Sequence, residues 1–146
     1  MATVTSTTSG NWASGGTWVG GVAPVDGDRV VIANTHVVTV AANTAIGDEP
    51  ASNTAVITCN GNGSLTLSSG VELVVRGGIS LVNGALTLGA GSSLAITPPA
   101  SAPTYVITLG TYASSSSLVA NGTSGSRCKI YRANANGIDY VCFWSL

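Results

Sequence analysis

The side chains that could perform chemistry are few and scattered along the chain. His36 is the only histidine, and the sequence places no Ser or Cys beside it that could act as a nucleophile. Catalysis by a Ser or Cys nucleophile needs a base within hydrogen-bond reach. The sequence therefore favours a structural position for His36 at the edge of a strand over a catalytic base or a metal ligand.

Carboxylates are also too sparse to indicate a catalytic pair. Asp26-Gly27-Asp28 lacks the spacing and the distal Glu of a calcium loop, so we expect a turn whose Asp side chains accept hydrogen bonds from nearby backbone amides. Glu72 and Arg76 are four residues apart, and we expect them to lie outward on one strand and to aid solubility. The sequence predicts no enzyme, no catalytic residue, no cofactor and no metal site.

The three cysteines, Cys59, Cys128 and Cys142, leave at least one thiol without a partner in the chain. Two interpretations fit Cys128. It is either a small apolar filler of the core or half of a disulfide with Cys142. No Cys-x-x-Cys pair indicates zinc.

An internal repeat indicates how these residues are positioned. Residues 63–75 match residues 84–96 at an offset of 21 residues, and the pattern continues at Ile107-Thr108-Leu109 and Cys128-Lys129-Ile130. Apolar and polar residues alternate within each copy, which indicates strands, and a fixed offset indicates stacked units. We predict that Leu65, Leu86 and Ile107 occupy equivalent places on successive parallel strands.

The predicted fold class is all-β, a short right-handed parallel β-helix with turns of about 21 residues and capped ends. The alternative is an antiparallel β-sandwich, because Asn-Gly turns and regular strand spacing fit both folds. In the β-helix, Thr66, Thr87 and Thr108 form an outward ladder, and the inward positions are Leu65, Leu67, Leu73, Val75, Ile79, Leu81, Leu86, Leu88, Leu94, Ile96, Ile107 and Leu109. We expect one domain over residues 1–146, with a cap region at 1–40, repeat turns at 55–132 and a last strand at 133–146.

Composition narrows the class of partner. Charged residues make up 8% of the chain and the formal net charge is −1, so we expect neither nucleic acid nor membrane as a partner. The start, MATVTSTTSGNW, lacks the basic and apolar regions of a signal peptide. We expect a location in a virion, which is released by lysis.

The N-terminal part resembles a known family. Trp18-Val-Gly-Gly-Val-Ala-Pro24, Gly27-Asp28-Arg-Val30-Val-Ile32 and Val37-Val-Thr-Val40 are similar to the opening of phage and secreted right-handed parallel β-helix proteins with a G8-like N-terminal domain. The resemblance covers roughly residues 9–40. It implies a right-handed coil with an N-terminal cap, and it transfers no catalytic residue.

Aromatic residues lie near both ends of the chain. They either cap the open ends of the coil or contact a partner, and for the second role we single out Tyr140, Phe143 and Trp144. The predicted function is that of an exposed virion component, a capsid decoration or tail-associated protein that forms a homo-oligomer, with a trimer expected. The alternatives are an adhesin or tail-spike fragment that binds surface glycan, and a polysaccharide-degrading β-helix enzyme.

Overall fold

The computed structural model describes residues 2–47, 55–97, 107–109, 116–134 and 137–143, and for 108–109, 132–134 and 137–143 it describes the backbone. A single 3₁₀ turn, Gly15–Thr17, is the only helical element of these residues, and none of them forms a helix able to cross a membrane. The strands are β1 (Thr3–Thr5), β2 (Gly10–Asn11), β3 (Arg29–Ile32), β4 (Val37–Val40), β5 (Thr44–Ile46), β6 (Ala55–Asn60), β7 (Ser64–Leu67), β8 (Glu72–Val75), β9 (Gly78–Val82), β10 (Ala85–Leu88), β11 (Ser93–Ile96), β12 (Ile107–Leu109), β13 (Ser117–Ala120), β14 (Cys128–Asn134) and β15 (Gly137–Phe143).

The strands form three sheets of five strands each. Sheet 1 has the order β1-β3-β6-β9-β12, sheet 2 the order β2-β4-β7-β10-β13, and sheet 3 the order β5-β8-β11-β14-β15. Every ladder in sheets 1 and 2 is parallel, and in sheet 3 only the pairing of β14 with β15 is antiparallel. The chain is therefore all-β with mainly parallel sheets, as the alternating pattern predicts.

One apolar core runs through the molecule from Trp12 to Ile130. In β3, β7, β8 and β10, buried and half-buried residues alternate, because successive side chains of a strand point to opposite faces. Ten of the twelve predicted inward residues, from Leu65 to Ile96, are buried. Ile107 is partly buried against the same core, and the side chain of Leu109 lies outside the described residues.

The 21-residue register holds in the middle of the chain. Leu65 pairs with Leu86 in sheet 2, and Leu73 pairs with Leu94 in sheet 3. Thr66 pairs with Thr87, and Thr39 precedes them in the same row. The predicted Thr ladder is therefore correct for Thr66 and Thr87. The prediction omitted Thr39, which belongs to the same row.

Beyond residue 96 the predicted register is wrong. Ile107 pairs with Ile79 in sheet 1, and Thr108 pairs with Ser80. On the side of Leu86 away from Leu65, the partner in sheet 2 is Leu118. The reason is a longer connection: two residues separate β8 from β9, whereas ten separate β11 from β12. The sequence offset between paired strands is therefore not constant at about 21 residues.

Cys128-Lys129-Ile130 is also displaced from the predicted fourth copy. These residues begin β14, and Ile130 pairs with Leu94 in sheet 3 rather than with a strand of sheet 2. Seven residues separate β13 from β14, against four between β10 and β11, so the connection again sets the register.

The N-terminal region contains a buried aromatic pair. The rings of Trp12 and Trp18 meet edge to face with centroids 5.3 Å apart, and both are buried. The indole N–H of Trp18 donates to the carbonyl of Trp12 at 2.7 Å. Trp12 directly follows β2, Trp18 forms an isolated bridge with Ser6 just after β1, and both rings belong to the apolar core.

Side chains at the corners hold adjacent strands together. The Asn34 side-chain oxygen accepts from the Asn62 amide at 2.9 Å, and Ser9 Oγ accepts from the Val37 amide at the same distance. Backbone amides that leave the sheets at a corner are thereby satisfied. Of the Asn-Gly corners, Gly61 and Asn83 have positive φ, at 55° and 56°.

Candidate functional site

A cleft of about 240 Å³ lies on the outer face of sheet 3 and is lined by Asn43, Thr44, Ala45, Glu72 and Val74. Glu72 is the ionisable group of this lining. The register of β5 on β8 places Ala45 beside Val74, and Asn43 directly precedes β5. The cleft is therefore formed by two neighbouring parallel strands and the corner that leads into the first.

Hydrogen bonds fix the polar side chains of this cleft. Tyr131 donates its hydroxyl to Glu72 Oε1 at 2.5 Å, and Ser93 Oγ lies 3.4 Å from the same oxygen. The Glu72 backbone amide donates to Asn43 Oδ1 at 2.9 Å. Because β11 lies between β8 and β14, the Tyr131 side chain spans one strand to reach Glu72.

We expected Glu72 to aid solubility and did not predict its contacts with Tyr131 and Ser93. The 21-residue offset places Ser93 beside Glu72, and the register agrees, so this contact could have been found in the sequence. Tyr131 could not, because β14 joins β11 at an offset set by the longer connections after residue 96. Arg76 lies just beyond β8 and forms an ion pair with Asp26, a partner 50 residues away.

Asp28 forms the turn that its sequence predicts. Its Oδ2 accepts from the Val25 amide at 3.2 Å, and its Oδ1 accepts from the Ala2 amide at 3.0 Å. Gly27 has a φ of 95°, a conformation that glycine adopts at little cost. Asp26 instead binds Arg76, so the two carboxylates serve different partners. Within the described residues, no group of three or more His, Cys, Asp or Glu side chains could hold a metal.

His36 has a serine partner that the sequence did not suggest. Ser6 Oγ and His36 Nδ1 are 2.8 Å apart, and Ser6 Oγ also accepts from the Ala33 amide at 2.9 Å. This hydrogen bond links the residue after β1 to the corner before β4. Ser6 is 3% exposed, so a substrate cannot reach its oxygen. This arrangement joins strands and does not present a nucleophile.

Two cysteines are free and buried. Cys128 Sγ lies 3.1 Å from the Gly89 carbonyl oxygen, and no disulfide links it to Cys142. Burial raises the pKa of the Cys59 thiol to about 12, because the apolar core disfavours a thiolate. A thiol in this environment is a poor nucleophile.

The residues predicted to contact a partner belong to the C-terminal strand. Tyr140 and Phe143 lie on β15, opposite Tyr131 and Cys128 of β14, and β15 is the edge of sheet 3. Trp144 lies outside the described residues. An edge strand has one unpaired row of backbone hydrogen-bonding groups, so a partner could pair there.

The chain matches no protein-family model, no curated protein and no solved structure.

Proposed function

We propose that the chain is a non-enzymatic structural module built as a short right-handed parallel β-helix. From β3 to β14 successive strands enter sheets 1, 2 and 3 in rotation through parallel ladders, which supports this architecture, and an antiparallel sandwich would lack such ladders. The right hand is favoured because crossovers between parallel strands of a sheet are almost always right-handed.

The single observation that carries a structural role is the aliphatic core, which continues from strand to strand through all three sheets. The described ionisable groups do not converge on such a scaffold: Asp26 binds Arg76, Asp28 caps a turn, and the His36 ring binds a buried serine. Acid–base or nucleophilic catalysis requires groups that meet at one accessible point.

An exposed virion component, either a capsid decoration protein or a tail-associated protein, is the function we assign to this module. Support comes from the low charge, the Ser- and Thr-rich composition of the chain and the resemblance of residues 9–40 to phage β-helix proteins. We further propose that copies form a closed homo-oligomer, with a trimer expected, and that β15 lies nearest to the partner.

Particle fractionation tests this assignment. Virus particles from the source culture are banded on a density gradient and digested, and peptides of this chain are measured by mass spectrometry. We expect the chain to band with the particles in a fixed ratio to the major capsid protein. Recovery of the chain only in the particle-free fractions would reject a virion location.

A further inference from the structure

We propose that the cleft beside Glu72 binds a neutral carbohydrate, namely one pyranose ring that presents two adjacent hydroxyl groups. The proposal concerns residues of sheet 3 and does not depend on the virion assignment. Some hydrogen-bonding groups of the cleft are not used by contacts within the described part of the chain.

Glu72 and Asn43 present one acceptor and one donor to a ligand. Tyr131 and Ser93 both approach Glu72 Oε1, which leaves Oε2 as an acceptor without a described partner. The Glu72 amide occupies Asn43 Oδ1, which leaves the Asn43 NH₂ group as a donor. A hydroxyl group both donates and accepts, so neighbouring hydroxyls of a sugar can donate to Glu72 and accept from Asn43.

Apart from Thr44, whose hydroxyl donates to the Ala42 carbonyl at 2.8 Å, the remaining lining is apolar. Ala45 and Val74 are register partners on β5 and β8, and both line the cleft. They offer the C–H face of a pyranose ring a surface to pack on. The volume of about 240 Å³ lies below the roughly 300–1,000 Å³ of pockets for drug-sized ligands, which suits a single ring.

Preorganisation favours binding at this cleft. Tyr131 holds the Glu72 carboxylate, and a backbone amide holds the Asn43 side chain, so neither group has to be ordered when a ligand arrives. Binding to such fixed groups avoids part of the entropy cost of association.

The charges of the cleft select a neutral ligand. The Glu72 carboxylate repels an anionic sugar, and the Asn43 NH₂ group opposes a metal cation. Hydrolysis of a glycosidic bond generally uses two carboxylates on either side of it, whereas Glu72 is the one carboxylate among the described residues that line the cleft. The proposed activity is therefore binding without cleavage.

Titration of the full chain with three sugars tests the proposal. The probes are methyl α-D-mannopyranoside, methyl α-D-glucopyranoside and methyl β-D-galactopyranoside, followed by ¹H–¹⁵N NMR. We expect at least one glycoside to shift the amide signals of Asn43, Ala45 and Glu72 saturably, with a Kd of about 1–10 mM, as a few exposed hydrogen bonds allow.

Two variants remove the two ligand-binding groups separately. Asn43→Asp keeps an oxygen for the Glu72 amide but loses the NH₂ donor, and Glu72→Gln keeps the size of the side chain but loses the charged acceptor. Each should weaken binding about tenfold, because one hydrogen bond is lost. Thr87→Ser, on the outer face of sheet 2, is the matched control and should leave the Kd unchanged. Amide signals outside sheet 3 report whether each variant is folded.

Three outcomes would overturn the proposal. The first is that no glycoside shifts these amides at concentrations of tens of millimolar. The second is that both variants, folded, bind as tightly as the wild type. The third is that calcium chloride shifts the same amides saturably and the glycosides do not, which would make the cleft a cation site.

Discussion

Gly84 shows how closely two corners of the chain approach each other. A Cβ atom added there would lie 2.5 Å from the Cβ of Cys59 and 2.8 Å from the carbonyl oxygens of Cys59 and Gly63. These neighbours are backbone or short side chain in the core, so they cannot move aside cheaply. The glycine at this position, which recurs at residue 63 in the sequence repeat, is required by the lack of space.

Gly84→Ala should lower the free energy of unfolding by at least about 2 kcal/mol, because overpacking forces the backbone to shift. Gly125→Ala is the matched control, since a Cβ at Gly125 would meet nothing within 4 Å. Urea denaturation followed by tryptophan fluorescence measures both variants. Equal stability of the two would show that the corners at Cys59 and Gly84 are not in close contact.

The buried Cys59 thiol should make the free energy of unfolding fall as the pH rises into the alkaline range. Its thiol pKa is about 12 in the folded chain, against 9.0 for an unperturbed thiol, because burial disfavours the thiolate. Below pH 9 the thiol is protonated in both the folded and the unfolded chain, so its ionisation contributes nothing to the free energy of unfolding. Between pH 9 and pH 12 only the unfolded chain releases the proton, so the free energy of unfolding falls by about 1.4 kcal/mol per pH unit.

Cys59→Ala isolates this effect from other groups that titrate at high pH. The difference in the free energy of unfolding between wild type and variant should be constant from pH 7 to pH 8.5 and should then change in favour of the variant. Chemical denaturation at a series of pH values gives the difference. A constant difference up to pH 11 would contradict the raised pKa.

At the scale of the element, the two copies of the repeat differ in polarity at one core position. Val71 of the first copy corresponds to Ser92 of the second, and Ser92 is fully buried with no hydrogen-bond partner for its hydroxyl among the described residues. Burial of an unpaired hydroxyl costs free energy, which an apolar residue avoids.

Ser92→Ala should therefore raise the free energy of unfolding by about 1 kcal/mol, since it removes the unpaired oxygen and leaves almost the same volume. Ser93→Ala is a neighbouring control, because Ser93 is half-buried on the outer face beside Glu72. Thermal and urea denaturation measure both variants. A loss of stability on Ser92→Ala would indicate that its hydroxyl has a partner.

The sequence predicted the strands well wherever alternation extended over four or more residues. The repeat copies 63–75 and 84–96, predicted as strands, contain β7, β8, β10 and β11, and the inward positions from Leu65 to Ile96 are correct. It missed β1, β2 and β5, because two or three residues are too few to display a period of two. The register failed at Ile107, where a longer connection changes the offset without changing the pattern inside the strand.

The cleft was less predictable than the strands. Pairing of Ser93 with Glu72 follows from the repeat, whereas Tyr131 and Asn43 reach Glu72 through register and corner geometry that alternation does not encode. Ser6 and His36 are 30 residues apart and meet only because β1 lies next to β3. Such contacts across sheets depend on the lengths of connections, which the periodicity of single strands leaves undetermined.

At the scale of the whole molecule, the low charge leads us to expect an assembly rather than a monomer. Wild-type chain should elute as a closed homo-oligomer, with a trimer expected. Phe143→Asp combined with Trp144→Ser should release monomers whose circular dichroism is unchanged, because charge and lost aromatic area oppose contact near β15. Size-exclusion chromatography with light scattering measures the mass. A wild-type chain that stays monomeric at high concentration would refute the assembly.

Thr66→Ser, on the outer face of sheet 2, is the control for that assembly. It should leave the measured mass unchanged. A change of mass in Thr66→Ser would place the contact on sheet 2 and away from β15.

The reversed direction of β15 bears on how copies of the chain can grow into larger structures. Sheet 3 is parallel from β5 through β14, so another copy stacked end to end could continue this parallel ladder only by adding a strand of the same polarity. β15 covers that position with the opposite polarity and different hydrogen-bond spacing. Copies stacked in the same orientation therefore cannot continue sheet 3 as one parallel ladder, which opposes filaments of that kind, and a strand that pairs at the free edge of β15 meets the reversed polarity.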